Sequence, residues 1–166
     1  MYKPVFLQFI FNKTLQTASE LSERYTFPIL GEFLSDKAKT HKKFGQWLDK
    51  LIGDVQTLPD DQQVYELVAA GIRASVVELP VKLVITGTVE EIKLKEIGNT
   101  ISKLLPEGYI VEIASNPVYN AKFLANLKQY EILLVEAKGV SQKPEIAKLV
   151  DMLQRNEIKI VGSVII

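Results

Sequence analysis

The chain has 166 residues, 47% hydrophobic and 24% charged, a length and balance that suit one folded domain with a real core. Its 20 basic and 20 acidic residues cancel, so no global field draws it to nucleic acid. With no Cys and a single His, His41 in the polar run Lys39–Lys43, disulfides, thiolate chemistry and His-rich metal sites are excluded. A Ser-His-Asp arrangement would need a buried, oriented imidazole, which that solvated run does not supply.

No stretch reaches the roughly 20 apolar residues of a spanning helix. Val5–Phe11 is short and reads as a core-packing segment or as the inner end of a membrane segment lying upstream. Thr17–Arg24 reads as a short helix, with Thr17 as N-cap and Glu20 as its capping-box partner. Phe27–Phe33 reads as a strand entered through Pro28. Ser35–Lys43 is polar and lysine-rich, and Phe44, Trp47, Leu48 and Leu51 then recur at helical spacing. Thr57–Asp61 punctuates the chain and caps a helix to about Ala74, with Val64, Leu67, Val68 and Ile72 on one face.

From Leu79 onward strand and helix alternate. Val81–Thr86 is a strand, and Glu90–Leu105 a helix with Leu94, Ile97, Ile101 and Leu104 inward. Tyr109–Ala114 is a strand, Asn120–Gln129 a helix and Glu131–Ala137 a strand. Lys143–Asn156 is a helix with Ile146, Leu149, Val150 and Leu153 inward, and Ile158–Ile166 is a final strand. This rhythm predicts an α/β fold: a mostly parallel sheet with helices on both faces, a reduced Rossmann-type three-layer sandwich like that of P-loop NTPases. The expected organisation is a single domain over 1–166, with an N-terminal helical and edge-strand extension over 1–60 and the core over 61–166. Ligands of such sheets bind outside the carboxyl ends of the strands, here near Thr86-Gly87, Ala114-Ser115-Asn116 and Ala137-Lys138-Gly139.

The loop after Val81–Thr86 is where a phosphate-binding P-loop belongs. Gly87 and Lys93 stand at the spacing of that motif, G-x-x-x-x-G-K-[ST]. Ile92 replaces the second glycine, which would let backbone amides approach a phosphate. Leu94 replaces the hydroxyl that would bind magnesium, and Glu90 and Glu91 place negative charge where a phosphate should sit. The segment reads equally as an ordinary acidic first helical turn. No aspartate follows the strand Ile110–Ile113, where a magnesium-holding carboxylate belongs. Glu112 and Glu136 fall in strands expected to be buried. They are either a carboxylate pair near the crevice or groups paired separately with a lysine such as Lys138.

Several stretches, in order, resemble bacterial polysaccharide chain-length determinants and the related bacterial tyrosine autokinases. Asn12–Leu21 followed by Phe27-Pro28-Ile29-Leu30-Gly31 resembles the segment after that family's second membrane helix. Gln63–Arg73 resembles the family's ring-forming helix motif, with Gln63, Tyr65, Glu66 and Arg73 as the candidate interaction residues. There the family's two arginines are replaced by Glu66 and Ala69 and its asparagine by Gly71. Val111–Val118 resembles the aspartate-bearing strand without its aspartate, and Glu131–Ile166 resembles the closing strand-helix-strand.

The resemblance implies a cytoplasmic domain at the inner face of the cell membrane, working in capsule, exopolysaccharide or lipopolysaccharide assembly. Its partner would be a membrane co-polymerase protein, a membrane region of its own outside this sequence, or further copies of itself. With the vestigial Gly87 and Lys93 alone left of the P-loop, no cofactor is expected, and the reading is a non-catalytic pseudo-kinase that acts by contact. The alternatives are a residual ATP- and magnesium-dependent kinase or ATPase using Lys93 and Glu112, and a stand-alone cytosolic regulator of a kinase in trans.

Overall fold

A computed structural model of the chain describes residues 13–34 and 59–166. Val5–Phe11, His41 and the stripe Phe44, Trp47, Leu48, Leu51 lie outside the described residues. Among the described residues five strands form one sheet: β1 (Ile29–Glu32), β2 (Val81–Gly87), β3 (Tyr109–Ile113), β4 (Tyr130–Glu136) and β5 (Ile160–Ile165). All pairings are parallel, in the order β1-β5-β4-β2-β3. The helices are α1 (Ser19–Arg24), α2 (Asp61–Ser75), α3 (Glu91–Leu104), α4 (Ala121–Asn126) and α5 (Lys143–Arg155).

Parallel strands covered on both faces need near-continuous apolar runs, and β2, β4 and β5 have them. One face packs Leu83, Ile85, Leu133, Val135 and Val164 against Val64, Val68 and Ile72 of α2 and Leu94, Ile97 and Ile101 of α3. The other packs Val84, Ile132, Leu134 and Ile165 against Leu21 of α1, Leu127 after α4, and Ile146, Leu149 and Leu153 of α5. Connections that step towards β3 (through α2 and α3) use the first face. Those that step back towards β1 (through α4 and α5) use the second. All four crossovers therefore share one hand, as a right-twisted sheet requires.

Some local details depart from the sequence pattern. Thr17 does not cap α1; the N-cap is Ala18, and the Glu20 carboxylate accepts the Gln16 amide at 3.1 Å instead. Leu67 does not face the core: it is 57% exposed, and Ala69 takes the inward place. Asn120–Gln129 divides into α4 and a 3-10 turn, Leu127–Gln129. The capping of α2 is stronger than expected, with Asp60 Oδ1 accepting the Gln63 amide and Gln63 Oε1 accepting the Asp60 amide.

The extension is part of the sheet. β1 pairs with β5, and the segment before α1 is bonded to the β4–α5 turn: the Leu15 amide donates to Ser141 O, Gly139 to Leu15 O and Lys143 to Lys13 O. Leu149 is fully buried in the α5 layer. Leu149→Ala should therefore lower stability by about 3 kcal/mol in urea unfolding, the cost of a lost large side chain plus the cavity it leaves.

Candidate functional site

In a sheet of this topology the connections leave the carboxyl ends of two neighbouring strands towards opposite faces, and a crevice opens between them. Here those strands are β2, which runs on to α3, and β4, which runs on to α5. The register pairs Gly87 with Val135, so Thr88 and Glu136 come next at the crevice mouth.

Glu136 is fully buried there. Its Oε2 accepts the Thr88 amide at 3.3 Å and the Thr88 hydroxyl in a very short hydrogen bond. The Ser141 hydroxyl accepts the Ala137 amide at 2.8 Å and turns its dipole to the carboxylate, while Oε1 has no hydrogen-bond partner. Thr86 Oγ1 and Ser163 Oγ, buried in the neighbouring strands, also lack partners. Burial pushes the Glu136 carboxyl up to about 7, against the downward pull of the Thr88 hydroxyl, the Ser141 hydroxyl and the Thr88 amide.

The two vestigial P-loop positions are far from a phosphate cradle in form. Gly87 is the last residue of β2, not the first of a wide loop. A Cβ there would lie 1.9 Å from Val135 O, so close strand packing alone requires glycine. The turn to α3 is only Thr88–Glu90, and Lys93 is already the third residue of the helix, its side chain exposed. The tight turn leaves no loop to wrap a phosphate, and its first amide is committed to Glu136.

Lys93 instead lines a cleft of about 420 Å³ at the carboxyl edge of the sheet, with Phe33, Tyr65, Glu96, Lys138 and Ile166. Phe33 and Tyr65 meet edge to face at 4.7 Å, and Lys138 is ion-paired with Glu32. The structure thus brings Lys93 to Tyr65 of the candidate interaction helix. Gln63 is used in the α2 cap, Glu66 accepts from Gln62 at 3.2 Å, and Arg73 is exposed in the last turn.

Glu112 and Glu136 do not meet. Glu112 is exposed on β3, which proves to be an edge strand, and stands opposite Val84, well below the crevice. Its carboxylate accepts the Tyr130 hydroxyl at 3.1 and 3.2 Å. Lys82 lies over the Tyr130 ring and Phe123 stacks on it. Burial first, and then Glu112, raise the Tyr130 hydroxyl. The partners Thr88 and Ser141 escaped sequence reading because hydroxyls at strand ends and turns are common; the usable signal was the lone carboxylate ending the apolar run of β4. Among the described residues no group of three or more His, Cys, Asp or Glu could hold a metal, and no helix is long and apolar enough to cross a membrane.

Two outcomes follow from this geometry. Gly87→Ala should destabilise the fold by at least about 2 kcal/mol in denaturant unfolding, since an added methyl must push β2 and β4 apart. The buried carboxyl binds its proton more tightly folded than unfolded, so the folded state carries more protons between its ordinary value of 4.5 and about 7. Stability is then greatest below that window and falls by about 3 kcal/mol as pH rises through it. Glu136→Gln should flatten this slope, read as unfolding free energy against pH.

No protein-family model and no curated protein matches the chain. Its fold is similar to a solved structure described as the crystal structure of the chimerical protein CapA2B2, with a TM-score of 0.52 over 90% of this chain and 98% of that one. The two are 10% identical, so the likeness is one of fold alone.

Proposed function

We propose that this chain is a non-catalytic, pseudo-kinase domain of a bacterial polysaccharide chain-length regulator, acting by protein contact at the inner face of the cell membrane. One observation carries the non-catalytic part. The crevice where a nucleotide's phosphates would lie is filled from within by Glu136, whose carboxylate takes the Thr88 amide and hydroxyl. A phosphate brought to this turn would meet a buried carboxyl, a helix starting too early to form a cradle, and the side chains of Glu90 and Glu91.

The assignment to polysaccharide assembly rests on the ordered resemblance of Asn12–Gly31, Gln63–Arg73, Val111–Val118 and Glu131–Ile166 to the chain-length and autokinase family. Its fold likeness to CapA2B2 agrees with that reading. The candidate contact surface is the outer side of α2, where exposed Glu66 and Leu67 form a groove with Pro59 and Gln63, and Arg73 is exposed in the last turn. Partners there would be the membrane co-polymerase or another copy of the chain.

Calorimetric titration with ATP and magnesium should give no binding tighter than the millimolar range, and labelled ATP should leave no phosphate on the protein. Micromolar binding that is lost in Lys93→Ala would overturn the pseudo-kinase reading in favour of a residual kinase or ATPase.

A further inference from the structure

The β4–α5 turn does two jobs at once. Its inner side closes over Glu136. Its outer side holds the segment Lys13–Gln16, which lies against it as an antiparallel arm. The inner closure is made by Ser141, which is buried and whose hydroxyl holds the Ala137 amide; Ala137 O in turn accepts the Ser141 amide at 2.9 Å and the Val140 amide at 3.3 Å. The outer side holds the arm through three backbone hydrogen bonds of 2.7–2.8 Å and the Thr14–Gln142 bridge, and the Lys143–Glu20 ion pair at 3.2 Å ties α1 to the start of α5. Leu15, almost fully buried, is the side chain that these bonds press into the core.

We propose that Glu136 is a proton-operated latch on this arm: while its carboxyl is neutral the turn Ala137–Gln142 stays shut and holds Lys13–Gln16, and when the carboxyl ionises the turn opens and the arm is released.

Among the described residues no cation is placed to neutralise an ionised Glu136. The groups facing it are the Thr88 amide and hydroxyl from the β2–α3 turn and Ser141 from the β4–α5 turn, together with Tyr25 beyond α1, whose hydroxyl Glu136 helps to push up after burial. The apolar layer on this face is made of Leu21 of α1, Ile146 and Val150 of α5, and Ile165 of β5. The nearby basic groups are directed elsewhere: Lys138 to Glu32, Lys143 to Glu20, and Arg24 over the Tyr25 ring at 5.7 Å. A proton on Oε1 would turn its orphan acceptor into a donor; a full charge there meets no pairing cation among the described residues.

An ionised carboxylate gains most by reaching water, and the turn is the way out. Both strand flanks of Glu136 are locked in ladders, whereas the turn holds Gly139, at φ 70° with open space where a Cβ would stand, and the exposed Val140. Swinging Ser141 outward solvates the charge and breaks the bonds from Leu15 to Ser141 and from Gly139 to Leu15 in the same movement. The arm and the proton are thereby coupled through a local opening well short of global unfolding.

Hydrogen exchange tests this on the intact chain. Amide protection at Leu15, Gly139 and Lys143, corrected for intrinsic rates, is followed from about pH 6 to about pH 8.5, with Ile132 in β4 marking global opening. In the wild type the protection of the arm should fall about tenfold over this range while staying below that of Ile132 throughout, and in Glu136→Gln it stays constant. Ser141→Ala should leave the arm unprotected at both ends of the range with the core intact. Arm protection that is independent of pH in the wild type, arm protection equal to that of Ile132, an equal fall in Glu136→Gln, or full protection of the arm in Ser141→Ala would each overturn the latch.

Discussion

The end of this sheet is organised around one buried carboxylate. At the point where β2 and β4 part, physical chemistry offers a parallel α/β fold two ways to satisfy the turn that opens the next helix: a bound anion, or a side chain of the protein itself. Glu136 is the second solution. It takes the Thr88 amide and hydroxyl, draws Ser141 and with it the β4–α5 turn over itself, and through that turn fixes the N-terminal segment. Its backbone is tied as well, with Glu136 O accepting the Ile166 amide and Ile166 O accepting that of Lys138. The β2–α3 turn and the end of β5 bond to this residue directly, and the N-terminal segment is tied to it through the β4–α5 turn.

That arrangement carries a cost. Removing a carboxyl from water disfavours its charged form, and the two hydrogen bonds from Thr88 offset only part of the penalty. A glutamine would make comparable contacts without the penalty. The glutamate is the one feature of the crevice that stability alone does not explain, and a proton-linked role for the turn gives it a reason to be there.

Much of the fold was legible in the sequence because two periodicities survive in it. The apolar runs of β2, β4 and β5 and the three-and-four spacing of Ile146, Leu149, Val150 and Leu153 mark strands and helices buried on the faces that the sheet demands. Prediction was weaker where packing overrides pattern. Leu67 fits the apolar stripe of α2 but is turned outward, and Ala69 is buried on the inward side instead. A parallel sheet covered on both faces predicts β3 to be buried, yet strand order is a property of the crossovers, and at the edge Ile110 and Glu112 are free to face water. The same edge position separates Glu112 from Glu136, a pairing that no linear reading could test.

The crevice was harder. Gly87 and Lys93 keep a spacing that suggests a phosphate loop, but spacing does not say where a helix starts. With α3 beginning at Glu91, the glycine serves strand packing and the lysine stands on a helix wall beside Tyr65. Glu136 was visible as an anomaly, a lone carboxylate in an apolar strand, while its partners were not, because Thr88 and Ser141 join it only through the register of β2 and β4 and the fold of a turn. The decisive measurement is a pH titration of the Glu136 side-chain carboxyl carbon by NMR. A single transition near 7, with none near 4.5, is the result that a sealed, internally held carboxyl requires; a transition near 4.5, that of an ordinary solvated glutamate, would contradict the account.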